Sequence, residues 1–130
     1  MNAANTYRVE ALLELAAAFP RPLTTGALAA RRQVPRAFLA RLLGSLAEAG
    51  LVITGRGPSG GTRLALRPED VSLAAVLPAM PRRAAPRGGR GVAYLADRLA
   101  AARSEVLHSL SLAALRDVER STAGADDWQI

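Results

Sequence analysis

Two short, partly β-branched runs, Leu51-Val52-Ile53-Thr54 and Thr62-Arg63-Leu64-Ala65-Leu66, flank the stretch Gly55-Arg56-Gly57-Pro58-Ser59-Gly60-Gly61. Four glycines and a proline within seven residues leave neither helix nor strand an uninterrupted path. The chain must therefore reverse here, and the flanking runs are expected to pair as a hairpin. Glycine permits the positive φ that tight turns need, while Pro58 fixes its own φ and lacks a backbone donor, so the tip is stiff and narrow. Arg56 and Arg63 make it cationic.

Ahead of the hairpin the apolar residues follow helical spacing. From Asn5, a candidate N-cap, Thr6 to Phe19 places Val9, Leu12, Leu13 and Ala16 on one face and stops before Pro20 and Pro22. Thr24 or Thr25 can cap a second, short helix through Arg32, with Leu28 and Ala29 inward and Arg31 and Arg32 outward. After the turn Gln33-Val34, Pro35 suits a first helical turn, and Phe38, Leu39, Leu42, Leu43 and Leu46 repeat at three and four until Gly50 closes the helix. Helix, helix-turn-helix and hairpin, in that order, make a winged helix.

The charge supports a polyanionic partner. All 17 basic residues are arginine, and with 11 acids the net charge is +6. Residues 1–67 carry nine arginines against Glu10, Glu14 and Glu48, whereas residues 68–130 carry eight arginines against eight acids. A GC-rich coding bias accounts for the missing lysine but not for this asymmetry. A basic half-chain attracts nucleic acid or an anionic surface, and the planar arginine fork suits phosphate and guanine. The second helix of a helix-turn-helix enters the major groove by its N-terminal residues. Subtracting the inward set leaves Arg36, Ala37, Ala40, Arg41, Gly44 and Ser45 facing out. Arg36 and Arg41 are candidates for guanine or phosphate, and Ala37 and Ala40 permit close approach. Arg31 and Arg32 are candidates for phosphate. In the hairpin the candidates are Arg56, Gly57, Ser59, Gly60 and Arg63, with the tip in the minor groove. For each arginine singly, a solvated surface role competes with contact.

Downstream, Pro68-Glu69-Asp70 breaks the pattern, and Ser72 can cap a short helix from Leu73 to about Met80. Residues 81–91 form an Arg/Pro/Gly-rich linker. Val92, Leu95, Leu99, Ala102 and Val106 are then spaced three, four, three and four, a coiled-coil-like seam. Such a seam must be covered by the body of the chain or by a second copy, and the second copy is the favoured reading. Ser111 caps a last short helix to about Arg120, and residues 121–130 read as a tail. The expected fold class is mainly α with a small β-hairpin: a winged helix-turn-helix domain at 1–80, the linker, and a long dimerisation helix with a short C-terminal helix at 92–120.

Enzyme chemistry lacks its parts. His108 is the only histidine and cysteine is absent, which excludes disulfides, thiolate metal sites and cysteine nucleophiles. Glu69-Asp70 reads as a turn or cap pair. No metal site is expected. No apolar run approaches the roughly 18 residues of a membrane span, and Ala11 to Phe19 is interrupted by Glu14, unlike a signal peptide. The expectation is a soluble cytoplasmic protein without a membrane partner.

With these motifs placed, the chain resembles the IscR/NsrR/CymR-type family of winged helix-turn-helix transcription regulators. The resemblance rests on Tyr7-Arg8-Val9-Glu10-Ala11-Leu12-Leu13-Glu14-Leu15-Ala16, Leu28-Ala29, Phe38-Leu39 through Leu43, and Ala49-Gly50-Leu51-Val52. It rests above all on Arg56-Gly57-Pro58-Ser59-Gly60-Gly61, and near the end on Leu110-Ser111-Leu112-Ala113-Ala114-Leu115. It implies a homodimer with crossed long helices that binds double-stranded DNA at a pseudo-palindromic operator and represses transcription, with Arg56 as the minor-groove arginine. It also leaves room for a small-molecule or protein effector. Cluster-binding members carry cysteines where this chain has Pro81 to Gly91, and Arg8 stands where some offer an N-terminal ligand, so no iron-sulfur cluster or other cofactor is expected. Thr62 replaces a usual aromatic, which weakens packing at the base of the wing. A winged-helix module that binds protein or RNA without operator specificity is the alternative.

Overall fold

The computed structural model describes residues 1–55, 60–78 and 88–126. In chain order the elements are α1 (Ala3–Ala18), α2 (Thr25–Arg32), α3 (Arg36–Glu48), β1 (Val52–Thr54), β2 (Thr62–Leu64), a 3-10 turn (Pro68–Asp70), α4 (Leu73–Val76), α5 (Arg90–Ser109) and α6 (Leu112–Asp126). Mostly helical with one antiparallel hairpin, this is the winged helix-turn-helix that the apolar spacing predicts.

The helix boundaries follow from capping chemistry. Asn2, not Asn5, caps α1: its side chain accepts from the Asn5 N–H at 2.8 Å. Both asparagines suit the role, but Ala3 and Ala4 have high helix propensity, so the earlier cap gains nearly a turn. Thr24 caps α2 by accepting from the Ala27 N–H at 3.1 Å. Gln33, at φ 54°, turns the chain out of α2 through the left-handed region. Pro35 stands one place earlier than expected, as the extended N-cap of α3. Its carbonyl accepts from the Leu39 N–H at 3.1 Å, a role that needs no backbone donor. At the other end, Gly50 takes φ 77°. The Gly50 and Leu51 N–H groups then bond the Ala47 and Leu46 carbonyls, each at 3.0 Å, a Schellman closure that leads directly into β1.

One core serves all the elements, although α5 reaches it only through the half-buried Leu107. Leu12, Leu15, Leu28, Leu46, Leu64, Val76 and Leu112 are completely buried, each drawn from a different part of the chain or a different turn of α1. Burying each such side chain contributes roughly 1.5–3 kcal/mol. The hairpin register pairs Val52 with Leu64, Ile53 with Arg63 and Thr54 with Thr62. Val52 and Leu64 therefore point into the core while Ile53 and Arg63 share the outer face, as strand alternation requires. Thr62 is buried at the base of the hairpin, where an isolated bridge joins it to Leu23.

The C-terminal region departs from the boundaries expected of it. α5 begins at Arg90, so the last two residues of the expected linker are helical, and α4 ends at Val76 rather than near Met80. α6 runs to Asp126, past Arg120, and packs against α1. Ser111 does cap it, accepting from the Ala114 N–H at 3.1 Å. Leu112 and Ala113 are core residues, and Leu73 and Leu112 donate to Leu110 and Val71 across an isolated Ser72–Ser111 bridge. The last helix thus belongs to the winged body, although it follows the long helix in sequence.

Candidate nucleic-acid interface

The outer face of α3 is set by what its inner face must bury. Leu39, Leu43 and Leu46 are buried, and Phe38 and Leu42 are half-buried. Phe38 meets Tyr7 of α1 edge-on, ring centroids 5.4 Å apart. That leaves Arg36, Ala37, Ala40, Arg41, Gly44 and Ser45, and all six are exposed. The N-terminal half of this face carries two guanidinium groups flanking two methyl-sized side chains. Its middle is thus shallow and its ends cationic.

Gly26 contributes to this surface without having been singled out from sequence. A β-carbon built on it would stand 3.6 Å from Cζ of Arg36, so the Arg36 guanidinium lies close over the first turn of α2. A glycine on the outward side of a short helix is the one sequence signal that could have pointed to it.

Arg31 and Arg32 face out of the α2–α3 pair but toward α1. Arg32 Nη1 lies 2.6 Å from Glu10 Oε2 and Nη2 2.8 Å from Glu14 Oε1, while Arg31 Nη1 lies 3.1 Å from Glu14 Oε2. The two carboxylates sit one helical turn apart on α1, and the two guanidinium groups bracket them. These ion pairs tie the helix-turn-helix to α1 and spend much of the cationic charge assigned to phosphate.

On the wing, Gly60 is half-buried and Arg63 lies on the outer face of β2. Arg63 Nη1 donates to the neighbouring Leu64 carbonyl at 3.2 Å, and its side chain lines a cleft with Pro20, Pro22 and Ile53. It therefore stands at the base of the wing, not its tip. Arg56, Gly57 and Ser59 lie outside the described residues, as does most of the 81–91 linker.

The seam is on the surface. Val92, Leu95, Leu99 and Val106 are 50, 57, 62 and 54% exposed, and Ala102 is exposed as well. Tyr94, on a different side of α5, is 68% exposed. No residue of α5 is buried, and within its own chain Leu99 of the seam lines a cleft with Ala74 and Leu77 of α4.

The donor set does not suit a thiolate-held cluster. The chain has no cysteine, and iron-sulfur clusters are held chiefly by cysteine thiolates. Arg8 can only donate, and its Nε is buried without a partner among the described residues. Nor do the described residues gather three or more His, Cys, Asp or Glu side chains into one group. No helix among them is long and apolar enough to cross a membrane.

The same architecture recurs in known proteins. IscR of T. potens superposes with a TM-score of 0.78 at 27% identity, covering 93% of this chain and 89% of that one. CymR of B. subtilis superposes at 0.76 and 24% identity over 91% and 96%, a likeness of fold. In sequence, IscR of Aliivibrio salmonicida is 35% identical over 75 residues, 57% of this chain and 45% of that protein. The chain thus spans about half the length of the curated relatives it matches. The profile of Rrf2, described as iron-dependent transcriptional regulator, matches residues 1–120. With nearly its whole length matched, the chain belongs to the Rrf2 family, a family of transcriptional regulators and not of enzymes.

Proposed function

We propose that this protein is a sequence-specific DNA-binding transcription regulator acting as a homodimer on a pseudo-palindromic operator. The observation that carries this reading is the α3 face. Six contiguous outward positions are all exposed, with Arg36 and Arg41 flanking Ala37 and Ala40 at the helix start. That is the end of a recognition helix that meets base edges, where arginine forks reach guanine and small side chains admit the groove wall. The wing takes the adjacent minor groove, with Arg56 as the arginine that enters it. Arg31 and Arg32 hold the reading head in place through Glu10 and Glu14 and add little direct contact. The exposed apolar face of α5 is the dimer surface, and repression follows from occupying the operator. Regulation proceeds without an iron-sulfur cluster.

A salt titration tests this reading. Affinity for duplex DNA from the protein's own promoter region should fall on the order of a thousandfold between about 50 and 200 mM salt, if at least six phosphates are contacted. A flat response, or no duplex binding, overturns it in favour of a protein-binding module. Selection of an operator from random duplexes then reads the sequence preference.

A further inference from the structure

A cavity of about 330 Å³ lies between α4 and α5 and has no part in the DNA-binding surface. It exists because the residues facing each other there are small. Ala74 of α4 stands opposite Ala100 and Ser104 of α5, where a close-packed contact would place larger side chains. The volume is about twice the roughly 150 Å³ that accommodates one benzene ring, and it falls within the size range of small-molecule clefts.

Its lining is apolar at the base, through Leu77, and polar along one side. Arg103 is half-buried, and none of the ion pairs among the described residues uses it. His108 Nδ1 lies 2.8 Å from the Ser104 carbonyl oxygen, which can only accept. The Ser104 hydroxyl oxygen lies 3.3 Å from the same nitrogen, so this edge of the ring is turned back on its own helix. A guanidinium fork with no ion pair among the described residues, beside a hydroxyl and over an apolar base, is complementary to a carboxylate on an apolar body.

We propose that this cavity binds a small amphipathic monocarboxylate, its carboxylate on Arg103 and its apolar body between α4 and α5. The position gives binding a consequence. Ser72, at the start of α4, donates to the Leu107 carbonyl at 3.5 Å, and the Leu73 N–H bonds the Leu110 carbonyl at 3.0 Å. A ligand wedged at this joint biases the angle between the winged body and α5, and hence the separation of two reading heads in a dimer. That regulatory step rests on the DNA reading; the binding step does not.

The test is calorimetry on the full chain without DNA, using 3-phenylpropionate as the probe. The expected result is saturable binding with a Kd of about 1 mM or tighter, and 3-phenylpropionamide weaker by about tenfold or more. Arg103→Met should erase the preference for the acid, Arg103→Lys should keep part of it, and Ala100→Leu, at an exposed position, should remove binding of both while leaving the circular dichroism spectrum unchanged. Heats of dilution alone overturn the proposal, as they would if the α5 of a second copy, packing through Leu99, filled the cavity. Unaltered binding by Ala100→Leu, or equal affinity for acid and amide, also overturns it. Saturating probe should then change duplex affinity by about tenfold in the wild type and not in Ala100→Leu. Binding without that change refutes the regulatory step alone, whereas absence of any duplex binding refutes the DNA reading and leaves the site standing.

Discussion

Leu23 and Thr62 exchange both of their backbone hydrogen bonds, the Leu23 N–H donating to Thr62 at 2.9 Å and the Thr62 N–H to Leu23 at 2.8 Å. The loop between α1 and α2 thereby becomes a third, one-residue strand against the base of the wing. The wing's position relative to the helix-turn-helix depends on this clasp. Gly61 sits inside it: an added β-carbon would stand 2.8 Å from the Leu23 carbonyl oxygen, which is backbone and cannot swing away.

Gly61→Ala is therefore expected to destabilise the fold by about 1–3 kcal/mol, the range for a forced overpacking. A lowered urea midpoint at unchanged slope would show it. An unchanged midpoint would mean that the clasp opens at little cost.

Leu112→Ala should cost about 2–5 kcal/mol, because Leu112 is completely buried in the core that α1 and the hairpin share. Thermal unfolding followed by circular dichroism checks this. A loss below about 0.5 kcal/mol, the level of an ordinary surface change, would make α6 an independent appendage.

Arg41→Ala and Arg56→Ala should weaken duplex binding in different ways. Loss of a guanine contact by Arg41 costs about 1–3 kcal/mol and relaxes specificity at one operator position. Loss of Arg56 relaxes a preference for A·T steps, since narrow minor grooves attract arginine. Binding-site selection with each variant distinguishes the two, and a wild-type profile for Arg56→Ala would remove the wing from the interface.

Leu99→Glu should yield monomers by light scattering, because Leu99 is 62% exposed at the middle of the α5 apolar face. The winged core, to which α5 contributes no buried residue, should keep its helical signal. A persistent dimer would place the interface elsewhere.

Much of the winged domain is legible in the sequence because its signals are local. The three-and-four spacing of Leu39, Leu43 and Leu46 identifies the buried side of α3 and, by subtraction, its six exposed positions. Thr24 and Gly50 mark ends through their own chemistry. What escaped the reading depends on partners remote in sequence. Glu10 and Glu14 look like solvated acids until α2 packs beside α1, and only then do they claim Arg31 and Arg32. Arg63 follows the same logic: its charge is visible in sequence, but the strand register aims it at the wing's base. The burial of Leu112 was hidden because helical periodicity shows that a face is covered without naming what covers it.

The twenty residues of α5 form a full helix with none of them buried. Helices in water draw most of their stability from packing, not from propensity. Where the cover is a second copy, the order of this segment becomes a function of how much of the protein is present. Such a regulator would gauge its own abundance: when scarce, each chain would carry a reading head without a firm lever, and as it accumulated the lever would stiffen and the paired heads acquire their spacing together.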